Sequence, residues 1–187
     1  MVELDLRILV YDHPDAERLI AELQAEYVRR YGGEDSAPVD PAQFALPDGL
    51  FLVGYVQGVP VATGGWRRHG AEHPDTAWTG GAAEVKRMYV APGARGQGFA
   101  RAVLGRLEST AADAGAGWLL LETGSRQPEA VALYRSSGYL DVPAFGHYAE
   151  AELSVHLGKP LSERAPRPPG EGDVSRPGSL AHPTRTP

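Results

Sequence analysis

The sequence predicts an α/β layer fold built on one mixed sheet. Element order carries this reading: β-rich runs and helical segments follow one another as βα, ββ, βαβα, ββ. Two early strand runs are separated only by Gln57-Gly58, which pairs them antiparallel as a hairpin. Two later strand runs are separated by a helix, as a parallel crossover requires. A repeating βαβ barrel is excluded, because the early strands have no helix between them.

Leu4–Val10 reads as the first strand. Asp12-His-Pro-Asp then makes an acidic, proline-containing helix start, and Leu19, Ile20, Leu23, Tyr27 and Tyr31 follow at helical spacing until Gly32-Gly33. Residues 34–48 are mostly loop, with a short helix near Gln43–Leu46. Leu50–Val56 and Val59–Arg68 form the hairpin, and the polar, glycine-rich 69–82 reads as a loop or a longer hairpin end. Glu84–Ala91 is a strand that stops at Pro92. Gly98–Ala114 is a helix with Ala100, Val103, Leu104, Leu107 and Ala111 on one face. Trp118–Glu122 is a continuous apolar run, hence a strand buried on both faces. Pro128–Ser137 is a short helix bounded by Pro128 and Gly138. Tyr139–Val142 and Leu153–Leu157 close the sheet.

Composition narrows the function. The chain has 187 residues, no cysteine and a formal charge of −6. Thiolate metal sites and cysteine nucleophiles are therefore excluded. An acidic chain is a poor binder of nucleic acid, whose affinity comes from phosphate contacts. No apolar run is long enough to span a membrane, and the acidic start does not look like a secretory signal, so a cytoplasmic location is expected. Residues 160–187 hold seven of the 16 prolines and no aromatic residue. Such a segment buries too little surface to offset its ordering entropy. The expected organisation is a domain over 1–159 and a disordered tail over 160–187, whose RAPRPP stretch is alternatively a proline-rich peptide ligand.

The stretch from Glu84 to Ala100, EVKRMYVAPGARGQGFA, carries the chemistry. A strand runs into a turn, and Arg95, Gly96, Gln97, Gly98, Phe99 and Ala100 open a helix. The glycines let backbone approach a ligand, and the free N–H groups of a helix start favour an anion. Strand, glycine turn and helix start together form a pyrophosphate cradle, to which Arg95 adds a positive charge. No Gly-Lys-Ser/Thr follows, so this is not a Walker A loop. Arg101 stands where a dinucleotide fingerprint needs its third glycine.

The pattern V-x-P-x-x-R-G-x-G-x-A after a strand resembles motif A of the GNAT superfamily of N-acetyltransferases, with Arg95, Gly98 and Ala100 at its marked positions. Pro128 to Tyr139, with Tyr134 and Gly138, resembles that family's later helix and turn, and the resemblance covers about residues 3–158. It implies a single mixed, mostly antiparallel sheet splayed between its fourth and fifth strands, with helices on both faces. It also implies acetyl-CoA as cosubstrate in the cleft. Arg95–Ala100 would hold the pyrophosphate by backbone bonds, and Met88 and Val90 would pair their backbone with the pantetheine arm. Gln127 stands where many relatives carry an asparagine that contacts the pantetheine.

The resemblance makes Glu84 and Tyr134 the catalytic candidates: Glu84 at the strand end where the family often places a base, and Tyr134 as the phenol that protonates the leaving thiolate. Glu122, at the end of LLLET, is a second base candidate, a contact for a cationic substrate, or a strand-end cap. Trp66, Arg67, Arg68, His69, His73 and Trp78 either line the acceptor site or form a solvated loop with anchoring aromatics. Phe145-Gly146-His147-Tyr148 either covers the cleft, with Tyr148 on the substrate, or is a surface loop. His69 and His73 lie four apart in loop-like sequence, which argues against a helical metal pair, and no metal site is expected. The expected activity is direct acetyl transfer to a primary amine, with a small cationic acceptor favoured by the acidic balance. The alternatives are a non-catalytic acyl-CoA-binding sensor or partner module, and a protein N-terminal or lysine acetyltransferase. A homodimer paired through the last strands is compatible with the pattern.

Overall fold

Residues 2–69, 78 and 81–161 are described by the computed structural model. The first strand, β1 (Asp5–Ile8), is a short edge strand. Helix α1 (Pro14–Tyr31) follows. His13 caps its start by accepting the Asp15 N–H at 3.1 Å, Pro14 occupies the first turn, and Gly32 ends it at φ +83°. Ala16, Leu19 and Leu23 bury one face of α1 against Phe44, Phe51, Val53, Tyr55 and Tyr89. The expected short helix is a 3-10 turn at Pro41–Phe44.

Strands β2 (Gly49–Val56) and β3 (Val59–His69) form the predicted hairpin. Gln57 and Gly58 both take positive φ, +49° and +79°, the turn whose twist matches paired strands. Strand β4 (Ala82–Val90) lies antiparallel to β3. Helix α2 (Phe99–Asp113) crosses to β5 (Trp118–Gly124), and α3 (Pro128–Ser136) leads to β6 (Leu140–Asp141) and β7 (Ser154–Pro160). The seven strands run in the order β1-β2-β3-β4-β5-β7-β6, so the last strand is inserted between β5 and β6.

The core divides by sheet face. Val103, Leu104, Leu107 and Ala111 of α2 pack with Leu50, Leu52, Trp66, Leu119 and Leu121, joined by Tyr134 of α3. Helix α1 covers the other face. Gly64 permits the close approach of α2, since a methyl there would press on Met88 and Val103. Helices thus lie on both faces, as expected.

Several boundaries differ from the sequence reading. β3 and β4 extend into the expected loop, where His69 pairs with Ala82. Pro160 was expected in the tail, yet it pairs with Trp118, and the Leu161 N–H donates to Gly117 O at 2.9 Å. A proline is tolerated there because Trp118 and Pro160 are a non-hydrogen-bonded pair, so the proline nitrogen faces away from β5, on the side where β6 reaches only as far as Gly158. The rest of the predicted tail, and His73, lie outside the described residues. Among the described residues no helix is long and apolar enough to cross a membrane.

Candidate active site

The cleft begins where two parallel strands stop pairing. β4 and β5 are joined only over Ala82–Glu84 and Trp118–Leu120. Beyond this they part. β5 stays with β7 as far as Gly124, while β4 stays with β3 through a register shift opposite Thr63–Gly65. Arg87 sits in this bulge at φ +58°, a conformation unusual for a residue other than glycine. Lys86, Arg87 and Met88 consequently all reach the opening, although strict alternation would send neighbours to opposite faces. The cavity is about 340 Å³. Its walls come from Val85–Met88 of β4, Leu121–Gly124 of β5, the end of α1 with residues 33–36, α3, and the β6–β7 connection.

The two carboxylates flanking the fork have different surroundings. Glu84 is buried and does not line the cavity. Arg67 Nε donates to it at 3.2 Å, and Lys86 Nζ lies 2.7 Å away. Burial by itself would raise its carboxyl, but Lys86, Arg67 and His69 outweigh burial and hold it below the ordinary value. Glu122 lies two residues past the last paired position of β5 and does line the cavity. Burial raises its carboxyl above the ordinary value, against the pull of a 2.9 Å hydrogen bond from Ser154 Oγ and of Lys86.

Tyr134 reaches the same cavity from α3. It packs edge-on against Tyr139 with ring centroids 5.7 Å apart, and burial pushes its phenol far above the ordinary value. Tyr134 is therefore a neutral O–H donor. Tyr27, also lining the cavity, is raised in the same way. Tyr31 lies against Gly124, where any side chain would run into its hydroxyl, and Gln127 Nε2 donates to that hydroxyl at 3.4 Å.

One carboxylate knits the loop side of the cavity together. Asp35 accepts from Arg87 Nη1 at 2.8 Å and from Tyr148 Oη at 2.7 Å. The Ser36 N–H donates to Tyr148 Oη at 2.9 Å. The loop after α1, the β4 bulge and the β6–β7 connection thus meet at Asp35.

The expected cradle lies at the start of α2. Gly96 and Gly98 have φ +77° and +83°, Gly98 is the N-cap with no side-chain cap bond, and no acidic residue occupies the first turn. That helix start offers unpaired N–H groups to an anion. The Ala91 N–H donates to Val61 O at 2.8 Å, so ladder alternation turns the Val90 N–H and C=O away from β3, toward the unpaired edge of β4. Arg95 does not point outward as a lone charge. Its Nε donates to Val90 O at 2.9 Å, and its Nη2 pairs with Glu26 of α1 at 2.6 Å.

The structure brings Glu122, Met88, Gln127, Tyr134 and Tyr148 to one cavity, while Gly96, Gln97, Gly98, Phe99 and Ala100 lie apart from it at the turn and start of α2. The described candidates from this region, Trp66 to His69 at the end of β3 and Trp78 beyond it, are anchors and do not line the cavity. Trp66 is buried and donates to Thr110 Oγ1 at 3.0 Å. Trp78 packs on Trp118 at 5.4 Å, and His69 on Phe145 at 5.1 Å. Arg68 braces Asp48 and the carbonyl of Ala114. Sequence reasoning missed Lys86, Arg87, Asp35 and Ser154, and took Tyr27 and Tyr31 as plain helix stripe. The one signal was tyrosine replacing aliphatic residues in the last turns of α1.

A model of the acetyltransferase (GNAT) family matches residues 17–139. The chain belongs to the GNAT acetyltransferase family. It is 41% identical over 144 residues to an IAA acetyltransferase of Azospirillum brasilense, covering 77% of this chain and 89% of that one. Among solved structures it is similar to a proposed acyl-CoA N-acyltransferase from Klebsiella pneumoniae, with 28% identity, TM-score 0.68, and 85% and 98% of the two chains covered. It shares its fold with yncA, a proposed acetyltransferase of Salmonella typhimurium solved with its cofactor acetyl-CoA, at 17% identity and TM-score 0.59 over 90% of this chain and 99% of that one. Acetyl-CoA is accordingly the cosubstrate of this GNAT protein. The α2 start and the β4 edge that β5 leaves fit it: the first offers N–H donors to a pyrophosphate, the second the Val90 N–H, beside a carbonyl that Arg95 already holds, to an amide-bearing arm.

Proposed function

We propose that this GNAT protein is an N-acetyltransferase that acetylates the primary amine of a small molecule by direct attack, with Glu122 as base and Tyr134 as acid. The observation that carries this reading is the pair itself. A carboxyl raised by burial and a neutral phenol line one cavity at the fork of the sheet. Met88, Val90, Gln127 and the backbone of residues 95–100 would hold the cosubstrate.

When bound, acetyl-CoA supplies an acyl carbon joined to a thiol leaving group. Glu122 takes the proton of the acceptor's ammonium, which frees the nitrogen lone pair to bond to that carbon. A raised carboxyl lies closer to an amine pKa of about 10.4 than an ordinary one does, so the transfer is less uphill. Tyr134 donates its phenolic proton to the sulfur as the C–S bond breaks, and takes back the second proton that the nitrogen sheds as the amide forms. Ser154 keeps Glu122 oriented. Glu84, held by Arg67 and Lys86, keeps those cations in place and is the weaker choice of base.

The test is to incubate the protein with acetyl-CoA and a panel of primary amines, following thiol release and product mass. N-acetylated product that Glu122→Gln and Tyr134→Phe each suppress, with acetyl-CoA binding retained, supports the reading. Absence of product from every amine, despite acetyl-CoA binding, overturns it in favour of a non-catalytic acyl-CoA module.

A further inference from the structure

Arg87 is a cation that the fold goes out of its way to deliver. It adopts φ +58° in the middle of β4, and the bulge it creates turns its side chain toward the cavity it lines. The residue is only 7% exposed. Its Nη1 is fixed by Asp35, which is itself shared with Tyr148 and the Ala37 N–H. Its Nε is buried with no hydrogen-bond partner. A guanidinium is never deprotonated in a protein, and a buried charged donor left unpaired carries its full desolvation penalty. One edge of the fork is thus clamped and the other lacks an acceptor. A carboxylate matches that geometry, because it accepts two parallel N–H bonds.

The neighbouring charges leave that edge as the unmatched group. Arg67 and Lys86 answer Glu84, and Asp35 answers the clamped side of Arg87. Glu34 and Glu122 also line the cavity, but neither is bonded to Arg87. The Nε edge of Arg87 is therefore what a carboxylate on the acceptor would satisfy.

We propose that the acceptor carries a carboxylate beside its amine, as an amino acid does, and that Arg87 receives this carboxylate. The inference rests on the N-acetyltransferase reading above and replaces the simple cationic acceptor that net charge favoured. Lys86 stays with Glu84, and Glu122 faces the amine.

The experiment pairs amino acids with their decarboxylated amines: leucine with isoamylamine, tyrosine with tyramine, lysine with cadaverine. It measures kcat/KM by thiol release, and binding to the CoA-loaded protein by calorimetry. A charge-assisted pair in a buried site gives the carboxylated member an advantage of about 10- to 100-fold. Arg87→Met is expected to shrink this to within about threefold, mainly through KM, and Arg87→Lys to recover part of it. The wild-type comparison stands even where a variant fails to fold. Equal use of both members of each pair overturns the inference and leaves the N-acetyltransferase reading intact, with Arg87 then only an anchor for Asp35. If neither member of any pair binds or reacts, the N-acetyltransferase reading fails and the carboxylate site with it.

Discussion

Glu84 and Glu122 stand on opposite arms of the same fork, Glu84 facing Leu120 at the last paired position of β4 and β5 and Glu122 two residues beyond it. Position on one side or the other of the split decides their chemistry. Before it, Glu84 is enclosed with two cations and stays ionised. After it, Glu122 is open to the cavity, and burial raises its carboxyl above the ordinary value.

Glu122→Gln is expected to lower kcat by about 100-fold or more while leaving acetyl-CoA affinity within about twofold. The fold disfavours the ionised form, so Glu122 opposes stability as the pH rises through its raised value. The variant should therefore melt higher than wild type at pH 8, by about 1 kcal/mol or roughly 2–4 °C. In wild type the rate should climb with pH along a limb displaced upward from the ordinary carboxylate value. Thiol-release profiles and calorimetric melts check both.

Glu84→Gln should act on stability first. It leaves Arg67 and Lys86 facing a neutral group in a buried site, which costs about 3 kcal/mol, or roughly 6–12 °C of melting temperature. Because the folded carboxyl lies below its ordinary 4.5, its contribution is complete above that value and is lost as the pH falls toward the lowered one. Urea melts of wild type and variant should differ most at pH 7 and converge in acid.

Tyr134→Phe removes the proton donor and little volume. The expected result is a fall of roughly 100-fold in kcat with KM for acetyl-CoA nearly unchanged, read by steady-state kinetics. A loss of binding instead would make Tyr134 a packing residue.

Gly98→Ala tests the cradle. There is open space for a methyl, so the strain comes from φ +83° alone. That strain amounts to about 1–2 kcal/mol. Relaxing it would rotate the first N–H groups of α2, so CoA should bind about tenfold more weakly in calorimetry, with pantetheine, which has no phosphate, unaffected.

Much of the fold was legible in the sequence because its signals are local. The Gln57-Gly58 turn, the stripe of Val103, Leu104 and Leu107, and the glycines before α2 each declare an element by themselves. Strand ends were less legible. Pro160 reads as tail by composition, yet it completes the ladder opposite Trp118. At the site, motif spacing pointed to Tyr134, which lines the cavity, and to the glycine turn that opens α2.

By itself the sequence determined the order of elements, the glycine turn that opens α2 and the local settings of Glu122 at a strand end and Tyr134 on a short helix, because each depends on neighbours in the chain. Only the tertiary structure decided which glutamate faces the cavity, that Arg87 is turned into it, and that Asp35 gathers three distant segments. Those depend on where β4 and β5 part and where β4 bulges. Both follow from pairing with β3 and β7, contacts that local sequence does not encode.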